Sequence, residues 1–138
     1  LKKRKRKRKR KNQRYQYKDI KDFHKKFKFK QGKGIDSMDY NFSNWRVDFL
    51  MEEIAELTDA LDNKDDVEIL DALIDICYVA MGTAWLMGLP FEEAWKEVQR
   101  SNMEKIREPS ERSENDVVKP EGWKKPDIKG IIKRWQKS

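Results

Sequence analysis

The sequence predicts an all-α fold, an antiparallel bundle of about four main helices, and three observations predict it. Apolar residues recur at helical spacing in successive segments. Short polar turns join them, as suits antiparallel neighbours. No stretch reads as a strand, and no internal repeat is present. A chain of 138 residues is enough for one domain with a core and too short for two ordinary ones. Residues 1–13 read as a disordered basic tail, and 14–138 as the helical domain, loop-rich from about residue 107.

A first helix is predicted from about Tyr15 to Phe29, with Ile20, Phe23 and Phe27 on its apolar face. Residues 30–41 form a loop. Gly32 and Gly34 within it complete no phosphate-binding pattern, since neither GK[ST] nor GxGxxG follows. The second helix should begin near Ser43 or Asn44, both good N-caps, and run to about Leu61. Leu50, Ile54, Leu57 and Leu61 form its apolar stripe; Phe49, Glu53, Glu56 and Ala60 form the adjoining line, so two glutamates edge the core.

The turn Asp62-Asn63-Lys64-Asp65 is short, and Asp65 or its neighbours can cap the third helix. That helix runs to Met87 and stops at Gly88, which can take the left-handed position past a helix end. Its apolar residues surround it, so burial over most of its circumference is expected. Trp85, Trp95 and Met87 suit either the core or a subunit interface. Pro90 opens a fourth helix, FEEAWKEVQRSNMEKI, with acids in its first turn. A loop rich in proline and charge follows, and residues 128–136 suit a last short helix.

The net charge of +7 is misleading. Residues 2–11 hold ten of the 32 basic residues, which leaves 22 against 25 acids, or −3, for the rest. That run suits contact with nucleic acid or another anionic surface, or a nuclear localisation signal, and equally no selected role. Cys77, the single cysteine, excludes an intrachain disulfide framework and reads as a small buried hydrophobe in a reducing compartment. The basic run is not followed by the apolar stretch of a secretory signal. The longest apolar segment, about 69–91, carries two acids near its start, which argues against a membrane span. A cytoplasmic protein is expected.

Those two acids, Asp71 and Asp75, are four residues apart and share a helix face; Glu53 and Glu56, three apart, share another. Folding the two helices back on each other pairs Glu53 with Asp75 and Glu56 with Asp71, both pairs centred near residue 64. Buried carboxylates are costly unless paired or bound to a cation. Two carboxylates from each helix therefore describe a Mg²⁺ site, with Mn²⁺ as an alternative. Mg²⁺ takes oxygen ligands at ~2.0–2.1 Å and keeps positions for water or substrate phosphates. EExxE alone is usually a solvated face, and an ion pair of the aspartates with Arg46 or a lysine is the other reading. Glu52 is an alternative to Glu53 or a supporting neighbour.

With these acids in place, the chain resembles the MazG-like all-α nucleoside triphosphate pyrophosphohydrolases, closest to the phosphoribosyl-ATP pyrophosphohydrolase-like branch. EEIAE at 52–56, DALIDICYVAMGTA at 71–84, GLPFEEAW, SNMEK at 101–105 and DVVKPEGWKKPDI at 116–128 carry the resemblance, over roughly residues 19–128. One departure is that Ala72 stands at the glutamate of the ExxD pair, so Asp71 must supply that carboxylate. The resemblance implies Glu53, Glu56 and Asp75 as catalytic metal ligands, with Asp71 a fourth. It implies Asn102 and Lys105 on the substrate, and Tyr78 in the pocket or else in the core. It further implies hydrolysis of a nucleoside triphosphate between the α and β phosphates, in a nucleotide-pool role, by water rather than a protein nucleophile. Homodimers or homotetramers are implied as well. The alternatives are phosphoribosyl-ATP hydrolysis, or a non-enzymatic nucleic-acid-binding oligomer presenting the basic tail. His24, set among lysines, reads as a lone exposed histidine.

Overall fold

The computed structural model describes residues 15–138; the predicted tail, residues 1–13, lies outside them. Among the described residues the elements are α1 (Tyr15–Lys26), a 3-10 turn (Ile35–Ser37), α2 (Phe42–Asp62), α3 (Asp66–Leu86), α4 (Phe91–Met103), β1 (Ile106–Arg107), β2 (Val117–Val118) and α5 (Ile128–Gln136). The fold is all-α, with its helices packed together. Two compact units divide the chain, one ending at Leu89 and one spanning Pro90–Ser138.

The first unit is the α2–α3 hairpin with α1 laid on α3. The connection is tight because Lys64 takes a left-handed conformation (φ 52°). Asp65 then caps α3, its carboxylate accepting from the backbone N–H groups of Val67 and Glu68 at 3.1 and 3.2 Å. At the other end of α3, Gly88 is left-handed. The loop after α1 supplies donors to the last carbonyls: Gly32 N–H to Leu86 and Gly34 N–H to Met87, both at 2.7 Å, and Gln31 Nε2 to Trp85 at 3.0 Å. Those oxygens would otherwise lack partners at a helix end. A Cβ on Gly88 would stand 2.1 Å from the Gly32 carbonyl oxygen, so the approach requires glycine there.

Several expectations change. The buried line of α1 is Tyr17, Ile20 and His24, whereas Phe23 and Phe27 are largely exposed. His24 is buried, not exposed. Its Nδ1–H donates to the Ile20 carbonyl at 2.7 Å, and its ring stacks on Trp85 at 5.0 Å. α2 starts at Phe42, and neither Ser43 nor Asn44 caps it. Its buried residues are Phe42, Arg46, Glu53 and Ala60, while Ile54 and Leu61 of the predicted stripe face outward. Two of the buried four can carry charge.

Arg46 lies under α3, where Nη2 donates to the Val79 carbonyl at 2.9 Å and Nε to Thr83 Oγ1 at 2.8 Å. Its guanidinium also sits over the Trp45 ring at 4.7 Å. Burial lowers its pKa from the usual arginine value. Gly82 makes the room: a Cβ there would be 3.0 Å from the His24 ring and 3.2 Å from Arg46 Nη2.

α3 buries only one face, through Ala72, Val79, Gly82, Trp85 and Leu86. Val67, Leu70, Leu73 and Ile74 are exposed, and so is Cys77, contrary to its predicted burial. By length and composition this helix is able to cross a membrane. Within this single chain, its apolar circumference outruns the cover that α1 and α2 give it.

In the second unit, α4 ends at Met103, short of the predicted Ile106. Ile106 and Arg107 instead pair antiparallel with Val118 and Val117, a two-stranded ribbon the sequence reading misses. Arg112 closes the intervening loop on Asp116 at 2.8 Å, and Ser110 Oγ donates to the same carboxylate. The hydrogen bond from Ser110 first, then the Val117 N–H and Arg112, hold Asp116 below the usual carboxylate range. Glu97 ties α5 to α4, accepting from Arg100 at 2.8 Å and from the Asp127 N–H at 3.1 Å. These bonds, Arg100 foremost, pull the Glu97 carboxyl down to about 2. Arg134 adds a bridge to Glu93 at 3.0 Å.

Candidate metal centre

The antiparallel register of α2 and α3 decides where the acids meet. Glu53 lies on the buried face of α2, seven residues beyond Arg46 and seven before Ala60, as near-integral helical turns require. One carboxylate oxygen each from Glu53, Glu56 and Asp75 lies within 4.8 Å of the others. Glu56 is exposed, Asp75 half-buried and Glu53 only 8% exposed. Glu53 Oε2 is fully buried and has no hydrogen-bond partner.

A buried carboxylate with one oxygen unpartnered, set beside two more carboxylates, is an unfavourable arrangement without a cation. The Glu53 pKa accordingly rises above the usual glutamate value, through burial first, then the negative charges of Glu56 and Asp75, a side-chain hydrogen bond with Glu56, and the charge of Asp71. No ion pair relieves the aspartates among the described residues, and Arg46 is engaged elsewhere. Three hard oxygen donors on two rigid helices, with solvent on one side, fit a divalent cation of the Mg²⁺ or Mn²⁺ type.

Asp71 stands apart from the three. It is exposed, while its neighbour Ala72 turns into the α2 contact. Its charge still acts on Glu53, so it lies at the rim. Glu52 is exposed and outside the cluster. Tyr78, one turn past Asp75, packs edge-on to Phe23 of α1 at 5.4 Å. Burial and the charge of Asp19 push its phenol above the usual value.

Asn102 and Lys105 belong to the second unit. Asn102 is exposed in the last turn of α4, where its carbonyl accepts from the Lys105 N–H at 3.2 Å. Lys105 is half-buried, with its ammonium 5.4 Å from the centre of the Trp123 ring. Trp123 itself, in the KPEGW segment, receives no role from the sequence reading beyond its place in the motif. Arg46 likewise enters there only as an ion-pair partner of the aspartates, because spacing does not reveal that it reaches α3 carbonyls.

The phosphoribosyl-ATP pyrophosphohydrolase family pattern matches residues 20–102, more than half of the chain, spanning α1 to the end of α4. The chain belongs to this family. It is thereby a member of the MazG-like all-α superfamily, as the motifs led one to expect, and a pyrophosphohydrolase acting on a nucleotide-like substrate. The matched region contains every acid of the cluster and Asn102, and stops short of Lys105. No curated protein matches the chain.

Glu53 gives a test of the centre. Its folded pKa lies above the unfolded value, so folding retains a proton in the interval between them. Stability of the metal-free protein therefore falls as the pH rises through that interval. In thermal melts without metal, the parent should lose more stability than Glu53→Gln as the pH rises above the usual glutamate pKa of about 4.3. At neutral pH, Mg²⁺ at roughly 100 times its Kd should stabilise the parent by about 2–3 kcal/mol and the variant far less. Superimposable profiles for the two proteins, with and without Mg²⁺, would exclude Glu53 from the centre.

Proposed function

We propose that the chain is a Mg²⁺-dependent nucleoside triphosphate pyrophosphohydrolase. The observation that carries this reading is the cluster of Glu53, Glu56 and Asp75 around a buried oxygen without a partner. Glu53, Glu56 and Asp75 would hold the cation, with Asp71 at the rim as a fourth carboxylate. Bound there, the cation supplies charge neutralisation for a phosphate chain and its pyrophosphate leaving group.

The protein's own contribution is placement. α2 and α3 hold the carboxylates at fixed separation, and the loop-to-α3 bonds and the Arg46 contacts keep the hairpin from sliding. A carboxylate of the cluster accepts the proton of the attacking water. The new bond joins water oxygen to the α phosphorus, and the bond from that phosphorus to the bridging oxygen breaks. Nucleoside monophosphate and pyrophosphate result. On the second unit, the resemblance gives Asn102 a role toward base or ribose and Lys105 one toward phosphate as a point charge. Tyr78, held against Phe23, would support the pocket wall.

A second reading keeps the chemistry and changes the substrate to phosphoribosyl-ATP; the family match favours it. A purely nucleic-acid-binding role for residues 2–11 would need neither the acids nor a nucleotide.

We propose also that a second copy of the chain covers α2 and α3, giving a homodimer or a homotetramer. Met51, Ile54, Leu70, Leu73 and Ile74 are between 44% and 62% exposed, and so many exposed large apolar side chains on two packed helices support a covered face. Contact with lipid instead would set Asp71 and Asp75 against hydrocarbon, which is costly.

Pyrophosphate release from NTPs, dNTPs and phosphoribosyl-ATP tests the reaction. Release should require Mg²⁺, and Asp75→Asn should lower it by about 10²-fold or more, a loss of ~3 kcal/mol in transition-state stabilisation. An undiminished rate in that variant would remove Asp75 from catalysis. Sedimentation equilibrium tests the assembly. The parent should run as a dimer or tetramer and Ile74→Glu as a folded monomer; a monomeric parent would refute the assembly.

A further inference from the structure

On the second unit, strand register brings two positive charges together. β1 and β2 pair Ile106 with Val118 and Arg107 with Val117, so the next position outward sets Lys105 opposite Lys119. Like charges directly opposite on a ribbon repel. Yet both side chains converge on one ring: Lys105 Nζ is 5.4 Å and Lys119 Nζ 5.0 Å from the centre of the Trp123 indole.

That ring is anchored. Its Nε1–H donates to the Ser101 carbonyl at 2.7 Å, and Ser101 is 1% exposed. The Trp123 N–H closes a turn on the Pro120 carbonyl at 3.1 Å, with Gly122 left-handed at φ 74°. Four acids of this unit already have cations of their own. Glu97 and Glu104 pair with Arg100, Asp116 with Arg112 and Glu93 with Arg134. Among the described residues, neither Lys105 nor Lys119 has an ion-pair partner. The indole face offsets part of their repulsion and fixes where the ammonium groups lie.

We propose that Lys105 and Lys119, held over Trp123, form a binding site for the phosphate groups of a di- or triphosphate. Two compact point charges suit dispersed phosphate oxygens better than they suit a planar carboxylate. The proposal rests on the pyrophosphohydrolase reading and extends the phosphate-binding role of Lys105 to Lys119 and Trp123. The phosphates can belong to the nucleotide or to released pyrophosphate.

The test follows the Trp123 indole N–H in two-dimensional ¹⁵N–¹H spectra of the full chain without divalent metal. The resonance is assigned by its loss in Trp123→Phe. Sodium pyrophosphate, ATP and sodium phosphate are titrated separately at constant ionic strength. A saturable shift is expected with pyrophosphate and with ATP, and weaker binding of phosphate. Lys119→Met should raise the Kd about tenfold, as loss of a charged hydrogen bond does. Lys124→Met, which removes an exposed lysine beyond the ring, should change it less than about twofold.

Tighter binding of ATP than of pyrophosphate would identify the nucleotide's phosphates as the ligand; the reverse order would identify the product. Unchanged binding in Lys119→Met would overturn the proposal, as would an equal loss in Lys124→Met. Hydrolysis that persists while Trp123 fails to titrate would overturn this site alone. A titrating Trp123 in a chain that hydrolyses none of the substrates would overturn the catalytic reading and leave the site standing.

Discussion

Everything about the first unit turns on one buried oxygen. Glu53 Oε2 is buried and has no hydrogen-bond donor, and the same carboxyl group lies beside those of Glu56 and Asp75. A hairpin built for stability alone would place an apolar residue at that position, as it does at Ala60 one register step away. The unfavourable charge is tolerable because the rest of the hairpin is firmly held. Asp65 caps α3, Gly32 and Gly34 satisfy its last carbonyls, and Arg46 crosses to Val79 and Thr83.

Arg46 and Glu53 illustrate a division of labour along one helix face. They are two turns apart, both buried, and they do not pair with each other. The Arg46 charge is solvated by carbonyl and hydroxyl oxygens of α3 and by the Trp45 face. Had it paired with Glu53, the cluster would have lost the negative charge that suits it to a cation. The glycine at 82 is part of the same design, since its missing side chain admits both Arg46 and the His24 ring.

Much of this was legible in the sequence, and the parts that were not have physical causes. The pairing of Glu53 with Asp75 follows from helical periodicity and a short turn, so register alone predicts the acids' meeting. The helix ends at Asp65 and Gly88 follow from capping chemistry. Burial was less legible. Leu50, Ile54, Leu57 and Leu61 look like a core stripe, yet Ile54 and Leu61 face outward, since periodicity marks an apolar face without saying what covers it. His24 sits among lysines in sequence, but one helical turn carries it beneath Trp85. The β1–β2 ribbon is two residues per strand, too short to leave a period. Lys119 and Trp123 acquire their relation to Lys105 only through that ribbon's register.

The most direct measurement is Mn²⁺ binding to the full chain, followed by electron paramagnetic resonance of the free ion. A three-carboxylate centre with Glu53 buried predicts saturable binding, weakened by at least about tenfold in Glu53→Gln and in Asp75→Asn. It predicts little change in Asp66→Asn, which alters an acid of the α3 first turn outside the cluster. Equal affinity in the parent, Glu53→Gln and Asp75→Asn would contradict the centre, as would no saturable binding by the parent.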